Sequence, residues 1–152
     1  ALGLRASTMI KDTAFTGLLG IILRFFGAIP VNRRSPKGII EQSIDQFNSH
    51  PQFILLIAPE GTRHAAENWK RGFHLVASGA QAPVLAAAIN YSAKIVTFGP
   101  PQTTTGDYEA DLRSLLAFYA RHAVARYPEK MSRPMAEALG QSWQPKPRPH
   151  AK

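Results

Sequence analysis

Residues 52–63 read QFILLIAPEGTR, from Gln52 to Arg63. Phe53 to Ala58 is a continuous apolar run of strand length, and Pro59 then removes a ladder donor and ends it. A strand that is apolar at every position is expected to be covered on both faces, as in a parallel sheet. The run closes on a carboxylate, a glycine, a threonine and an arginine, Glu60 to Arg63.

Apolar runs and helical patterns alternate on both sides of this stretch. Upstream, Ser7–Lys11 reads as a short strand and Thr13–Phe26 as a helix apolar on most faces. Gly27–Asn32 reads as extended. A helix opens at Ser35-Pro36 and runs to about Ser49, with Ile40, Ile44 and Phe47 inward. Downstream, Gly72–Gly79 reads as a short helix with Phe73, Val76 and Ala77 inward, and Pro83–Tyr91 and Lys94–Gly99 read as strands. Pro100–Gly106 is a loop. A long helix is expected from Asp107 to about Tyr127, striped by Leu112, Leu115, Leu116, Tyr119 and Val124, and a last short one from Ser132. The alternation predicts an α/β fold, a largely parallel sheet flanked by helices. Ligands of such sheets bind beyond the carboxyl ends of the strands, where Arg33-Arg34 and the Glu60–Arg63 loop both fall.

The 152 residues suit one core, and 45% hydrophobic content is that of a globular protein. There is no cysteine, which excludes disulfides and thiolate metal sites. A net charge of +8 favours anionic partners: phosphorylated small molecules, anionic lipid or nucleic acid. From Arg121 onward seven Lys/Arg stand against Glu129 and Glu137, so the net there is 7 − 2 = +5. The end, QPKPRPHAK, has the composition of a solvated Pro-rich tail. Ala14–Pro30 is interrupted by Arg24 and its apolar part is too short to span a bilayer, but it suits a membrane surface, with Phe25 and Phe26 inserted.

Arginine offers a planar fork that grips phosphate through two bonds. Arg33 and Arg63 each follow an apolar strand, which limits their freedom. Gly61 allows a tight turn, and Glu60 can orient a guanidinium or accept from a substrate hydroxyl. Lys70 and Arg71 stand just before a helix start, whose free N–H groups also favour an anion. Together these residues suit a phosphomonoester. Each has a plainer reading when taken alone: a turn with a surface salt bridge, solvated arginines, a core helix. The five histidines show no metal-ligand spacing, and His64, the one beside the loop, is read as solvent-exposed.

Several blocks in one order resemble the lysophospholipid (1-acylglycerol-3-phosphate) acyltransferases of the PlsC-like group, in their short bacterial form. Lys11 and Gly20 precede Gly27-Ala-Ile-Pro-Val-Asn-Arg33, which resembles the second motif of the family, a glycine followed by a phosphate-binding arginine. Pro59-Glu60-Gly61-Thr62-Arg63 is identical to the third. Trp69–Phe73 resembles the Lys-Gly-Phe stretch that follows it, and Ala82–Leu85 the fourth motif, with Ala86 where a second proline is usual. Asn90-Tyr91, Lys94 and Thr105-Gly106-Asp107 resemble features of the short subgroup.

The resemblance implies a glycerol-phosphate acyltransferase-like fold on a membrane surface. It implies transfer of a fatty acyl group from acyl-CoA or acyl-acyl carrier protein, as co-substrate, to a lysophospholipid, with no bound cofactor and no metal. Arg33 and Arg63 are expected to bind the acceptor phosphate, Glu60, Gly61 and Thr62 to shape the site, and Lys70 to add charge. The place expected is the cytoplasm, peripheral on the inner face of the cell membrane. The partners expected are the lysophospholipid, the acyl thioester, an anionic membrane surface and an acyl carrier protein.

The catalytic motif of the family is histidine, four residues, aspartate, a base and the carboxylate that orients it. Five residues after His50, His64, His74 and His122 stand Leu55, Trp69, Gly79 and Tyr127, so the motif is absent. Its expected place is a few residues upstream of Ala1. Residues 1–130 are thus read as an acyltransferase domain lacking its N-terminal part, inactive alone, and 131–152 as a short helix and basic Pro-rich tail. The alternative is a non-catalytic anionic-lipid or phosphate-binding module. Nucleic acid is disfavoured, because no aromatic stacking platform interleaves with the basic residues.

Overall fold

The computed structural model describes residues 6–11, 16–17, 20–22, 28–31, 38–50, 52–62 and 64–144. The chain divides into two compact units, Ala1–Ala58 with Leu75–Ala82, and Pro59–His74 with Pro83–Lys152.

In the first unit β1 (Ala6–Lys11) pairs in parallel with β2 (Ala28–Val31), Thr8 opposite Ala28 and Lys11 opposite Val31. On its other side β1 pairs in parallel with β3 (Ile54–Leu55), through Ala6–Ile54 and Ser7–Leu55 only. Helix α1 (Ile39–Ser49) takes Gly38 as its N-cap, where the sequence pointed to Ser35. Ile40, Ile44 and Phe47 are half-buried, and the buried residue is Ser43, whose hydroxyl donates to the Ile39 carbonyl at 2.7 Å. Phe47 meets Phe53 edge-on at 4.7 Å. Of the helix predicted over Thr13–Phe26, Gly17 and residues 20–22 are described and helical and Thr16 is a bend; the rest lies outside the described residues. Among those described, no helix is long and apolar enough to cross a membrane.

Helix α2 (Gly72–Gly79) matches its predicted span. Its later turns belong to the first unit, where Val76 and Ala77 are buried; its first residues, Gly72–His74, belong to the second.

The second unit is built on a hairpin. Strands β4 (Ala87–Asn90) and β5 (Ile95–Phe98) pair antiparallel, Ala87 opposite Phe98 and Asn90 opposite Ile95. The turn is local: the Asn90 side-chain oxygen accepts from the Ala93 N–H at 2.9 Å, and Lys94 takes a positive φ of 56°. Alternate residues face opposite sides of a strand. Ala86 and Ala88, on one side, are buried against Leu115 and Phe118 of α3 (Tyr108–His122). Leu85 and Ile89, on the other, stay exposed, as do Val96 and Phe98 of β5.

Asp107 caps α3, accepting from the N–H groups of Glu109 and Ala110. The helix ends at His122, short of the expected Tyr127, because the backbone is recruited to the hairpin edge. The Val124 N–H donates to the Ile89 carbonyl and the Tyr91 N–H to the Val124 carbonyl, both at 3.1 Å. A 3-10 turn (Pro128–Lys130) leads to α4 (Arg133–Ala138), which packs Met135 against Trp69 and Leu112.

The fold expectation is therefore corrected. The described strands do not make one largely parallel sheet flanked by helices: the parallel pairs are short, and the strands after the Pro59 turn form a separate antiparallel hairpin. A four-residue connection, Tyr91 to Lys94, can join only antiparallel neighbours, since a parallel pair needs a crossover of a dozen residues or more. The apolar run Phe53–Ala58 likewise pairs at only two residues, and Leu56 is 64% exposed. Continuous hydrophobicity signals a tendency to be buried, and it specifies neither pairing nor partner.

Candidate functional site

The loop that follows β3 brings two of the sequence blocks together. Pro59 and Glu60 form a turn, and Gly61 follows at a φ of 63°, a region that residues with side chains rarely occupy. The Lys70 N–H donates to the Pro59 carbonyl at 2.8 Å. The Lys70 side chain then lies across Gly61: a Cβ built at Gly61 would stand 2.8 Å from the Lys70 Cε and 3.1 Å from its Nζ. The backbone conformation favours glycine at 61, and the absence of a side chain there leaves room for the stem of the lysine. Glu60 is half-buried, and the Thr62 hydroxyl accepts from the His64 N–H at 3.2 Å. An ammonium lying over a glycine turn can hold an anionic oxygen and sort it from a neutral one. Of the other predicted binding residues, Arg33 and Arg63 lie outside the described residues.

Lys70 itself is exposed, and the buried residue beside it is Trp69. Trp69 is 8% exposed, and its indole N–H donates to the Ser132 hydroxyl at 2.9 Å. It meets Tyr119 edge-on at 5.6 Å. The Tyr108 hydroxyl donates to the Trp69 carbonyl at 3.2 Å. Arg71 turns away from the loop: its guanidinium stands 4.7 Å over the Tyr108 ring and 3.3 Å from the Glu109 carboxylate, an exposed pair. It joins the scaffold more than the anion site. Burial raises the pKa of Tyr108, an effect increased by Glu109 and opposed by Arg71.

One pair of titratable groups escaped the sequence reading. His74 is buried, and its Nε2 lies 2.9 Å from Oδ2 of Asp111. The Thr105 N–H donates to Oδ2 and the Thr105 hydroxyl to Oδ1, both at 2.9 Å. Burial alone would raise the Asp111 carboxyl; the bonds from Thr105 and His74 outweigh it and hold the pKa below the ordinary aspartate value. The partners stand 37 residues apart, so a search for a five-residue spacing passes over them. The pair lines a shallow cleft with Phe73, Val84, Gln102 and Leu115, with space for about one water molecule. That is too small for a lipid acceptor, and the arrangement suits a brace. Among the described residues, no group of three His, Asp or Glu could hold a metal ion.

No protein-family model, no curated protein and no solved structure matches this chain.

Proposed function

We propose that the loop from Glu60 to Lys70 binds the phosphate of a lysophospholipid, in a protein that transfers an acyl group to it. The observation that carries the reading is Lys70 laid across Gly61 and tied to Pro59. Two blocks of sequence that resemble acyltransferase motifs thereby form one cationic turn. Arg33 and Arg63, which lie outside the described residues, are assigned to the same phosphate by the resemblance of their blocks alone. The acceptor hydroxyl attacks the thioester carbonyl of acyl-CoA or acyl-acyl carrier protein, the C–O bond forms, the C–S bond breaks, and the thiol leaves with the proton. The described residues contribute orientation and charge to this step. The reaction belongs at the cytoplasmic face of the cell membrane, where lysophospholipid and soluble thioester meet.

The test is an assay of the full-length protein with lysophosphatidic acid and an acyl thioester. Product formation is expected, with Arg63→Ala lowering turnover or raising the acceptor KM by about tenfold or more, as loss of a charge-assisted contact should. Unchanged kinetics for that variant would remove the role of Arg63. Binding of anionic lipid without any turnover would leave the binding-module reading in place of the enzyme.

A further inference from the structure

The first turn of α3 touches the segment that carries Lys70 at every step. The Tyr108 hydroxyl holds the Trp69 carbonyl at 3.2 Å, Glu109 holds Arg71 at 3.3 Å, and Asp111 holds His74 at 2.9 Å. The Tyr108 ring also receives the His74 ring edge-on at 5.5 Å. Asp111 is itself fixed by two bonds from Thr105, and the turn by the cap of Asp107. The loop Thr105-Gly106-Asp107 is remote in sequence from the anion turn and contributes no atom to it, yet it sets the residues that brace Trp69 and His74. Lys70 stands between those two braced residues and has one backbone tie of its own, to Pro59.

We propose that Tyr108 and Asp111 are positioning residues for the Lys70 ammonium, acting through Trp69 and His74 to hold it across Gly61. This rests on the phosphate-binding reading of the Glu60–Lys70 loop. The flanks of Lys70 are fixed from the α3 side, so the backbone that carries the ammonium is already placed beside the turn, and less ordering is needed when an anion arrives. Loosening either flank leaves the cation present but no longer held in place.

The experiment titrates inorganic phosphate into the full-length protein at fixed pH and ionic strength, followed by calorimetry. The proteins are wild type, Lys70→Met, Tyr108→Phe, Asp111→Asn and the two doubles with Lys70→Met. Lys70→Met is expected to weaken phosphate binding about tenfold. Tyr108→Phe and Asp111→Asn are each expected to weaken it about threefold to tenfold, and to add nothing once Lys70 is gone. Phe47→Leu loosens the Phe47–Phe53 contact of the first unit and should leave the affinity unchanged. Additive doubles, unchanged affinity in the Tyr108 and Asp111 variants, or equal weakening by Phe47→Leu would each overturn the positioning role. If Asp111→Asn does not fold, Tyr108→Phe, which keeps the ring, decides alone. A wild-type protein that binds no phosphate, or a Lys70→Met variant that binds it normally, overturns the site and the positioning role together.

Discussion

Two regions of the second unit are held in opposite ways. The Trp69–His74 segment is short and has a partner for nearly every group: Ser132 and Tyr119 for the indole, Tyr108 for the Trp69 carbonyl, Glu109 for Arg71, Asp111 for His74. The outer face of the β4–β5 hairpin is apolar and has no such fixings. Leu85, Ile89 and Val96 lie about half exposed and Phe98 is 65% exposed. Directional bonds specify where a segment sits, whereas apolar area specifies only that it prefers not to face water. The candidate site is built on the first kind of region.

The comparison can be broken by mutation. Trp69→Ala removes a buried aromatic with its indole bond and should cost about 3–5 kcal/mol in denaturant unfolding. A loss under about 1 kcal/mol would mean that the segment is not anchored by its core. Asp111→Asn should cost about 1 kcal/mol at neutral pH, the low end of the range for a charged bond removed on one side, because the bonds are only partly buried. Its pH dependence has a definite sign. The native carboxyl is held below its ordinary value, so its stabilisation is present above the unfolded pKa and fades as pH falls through the native one. Stability of the wild type should decline in acid more steeply than that of Asp111→Asn, and parallel curves would show that the brace carries no charge. The smallest effect belongs to the outer face: Phe98→Ser should move stability by no more than about 0.5 kcal/mol while reducing self-association in light scattering. A loss of several kcal/mol would show that this face is covered in solution.

Local patterns in the sequence were legible and distant pairings were not. Helix α2 and the start of α3 follow from periodicity and from the capping carboxylate of Asp107. The Pro59–Gly61 turn follows from its residue types, and its grouping with Lys70 follows from the basic residues at the next helix start, while the bond between Lys70 and Pro59 is not written in either block. The hairpin was read as two strands, but nothing in PVLAAAINY or KIVTFG states whether they pair with each other or extend a sheet. The end of α3 was overrun because helix stripe and hairpin edge compete for Val124, and two backbone bonds decide for the hairpin. His74 and Asp111 were passed over for a similar reason: their bond depends on how α2 and α3 pack, which no spacing along the chain records.

The alanines at 86, just before β4, and at 88, within it, have a consequence for register. Ala86 is 2% exposed and Ala88 is fully buried, with the rings and branches of Phe118 and Leu115 filling the space above them. Across the hairpin, a Cβ added at Gly99 would come within 3.2 Å of the Phe118 ring. The gap between strand and helix therefore admits a methyl group and no more. If β4 slid by one residue, Leu85 and Ile89 would turn into that gap and lift the helix off the sheet. The hairpin keeps its place by a gauge of side-chain height. The same gauge gives Ala86 a role: a small, unbranched spacer that lets α3 close down on the strand.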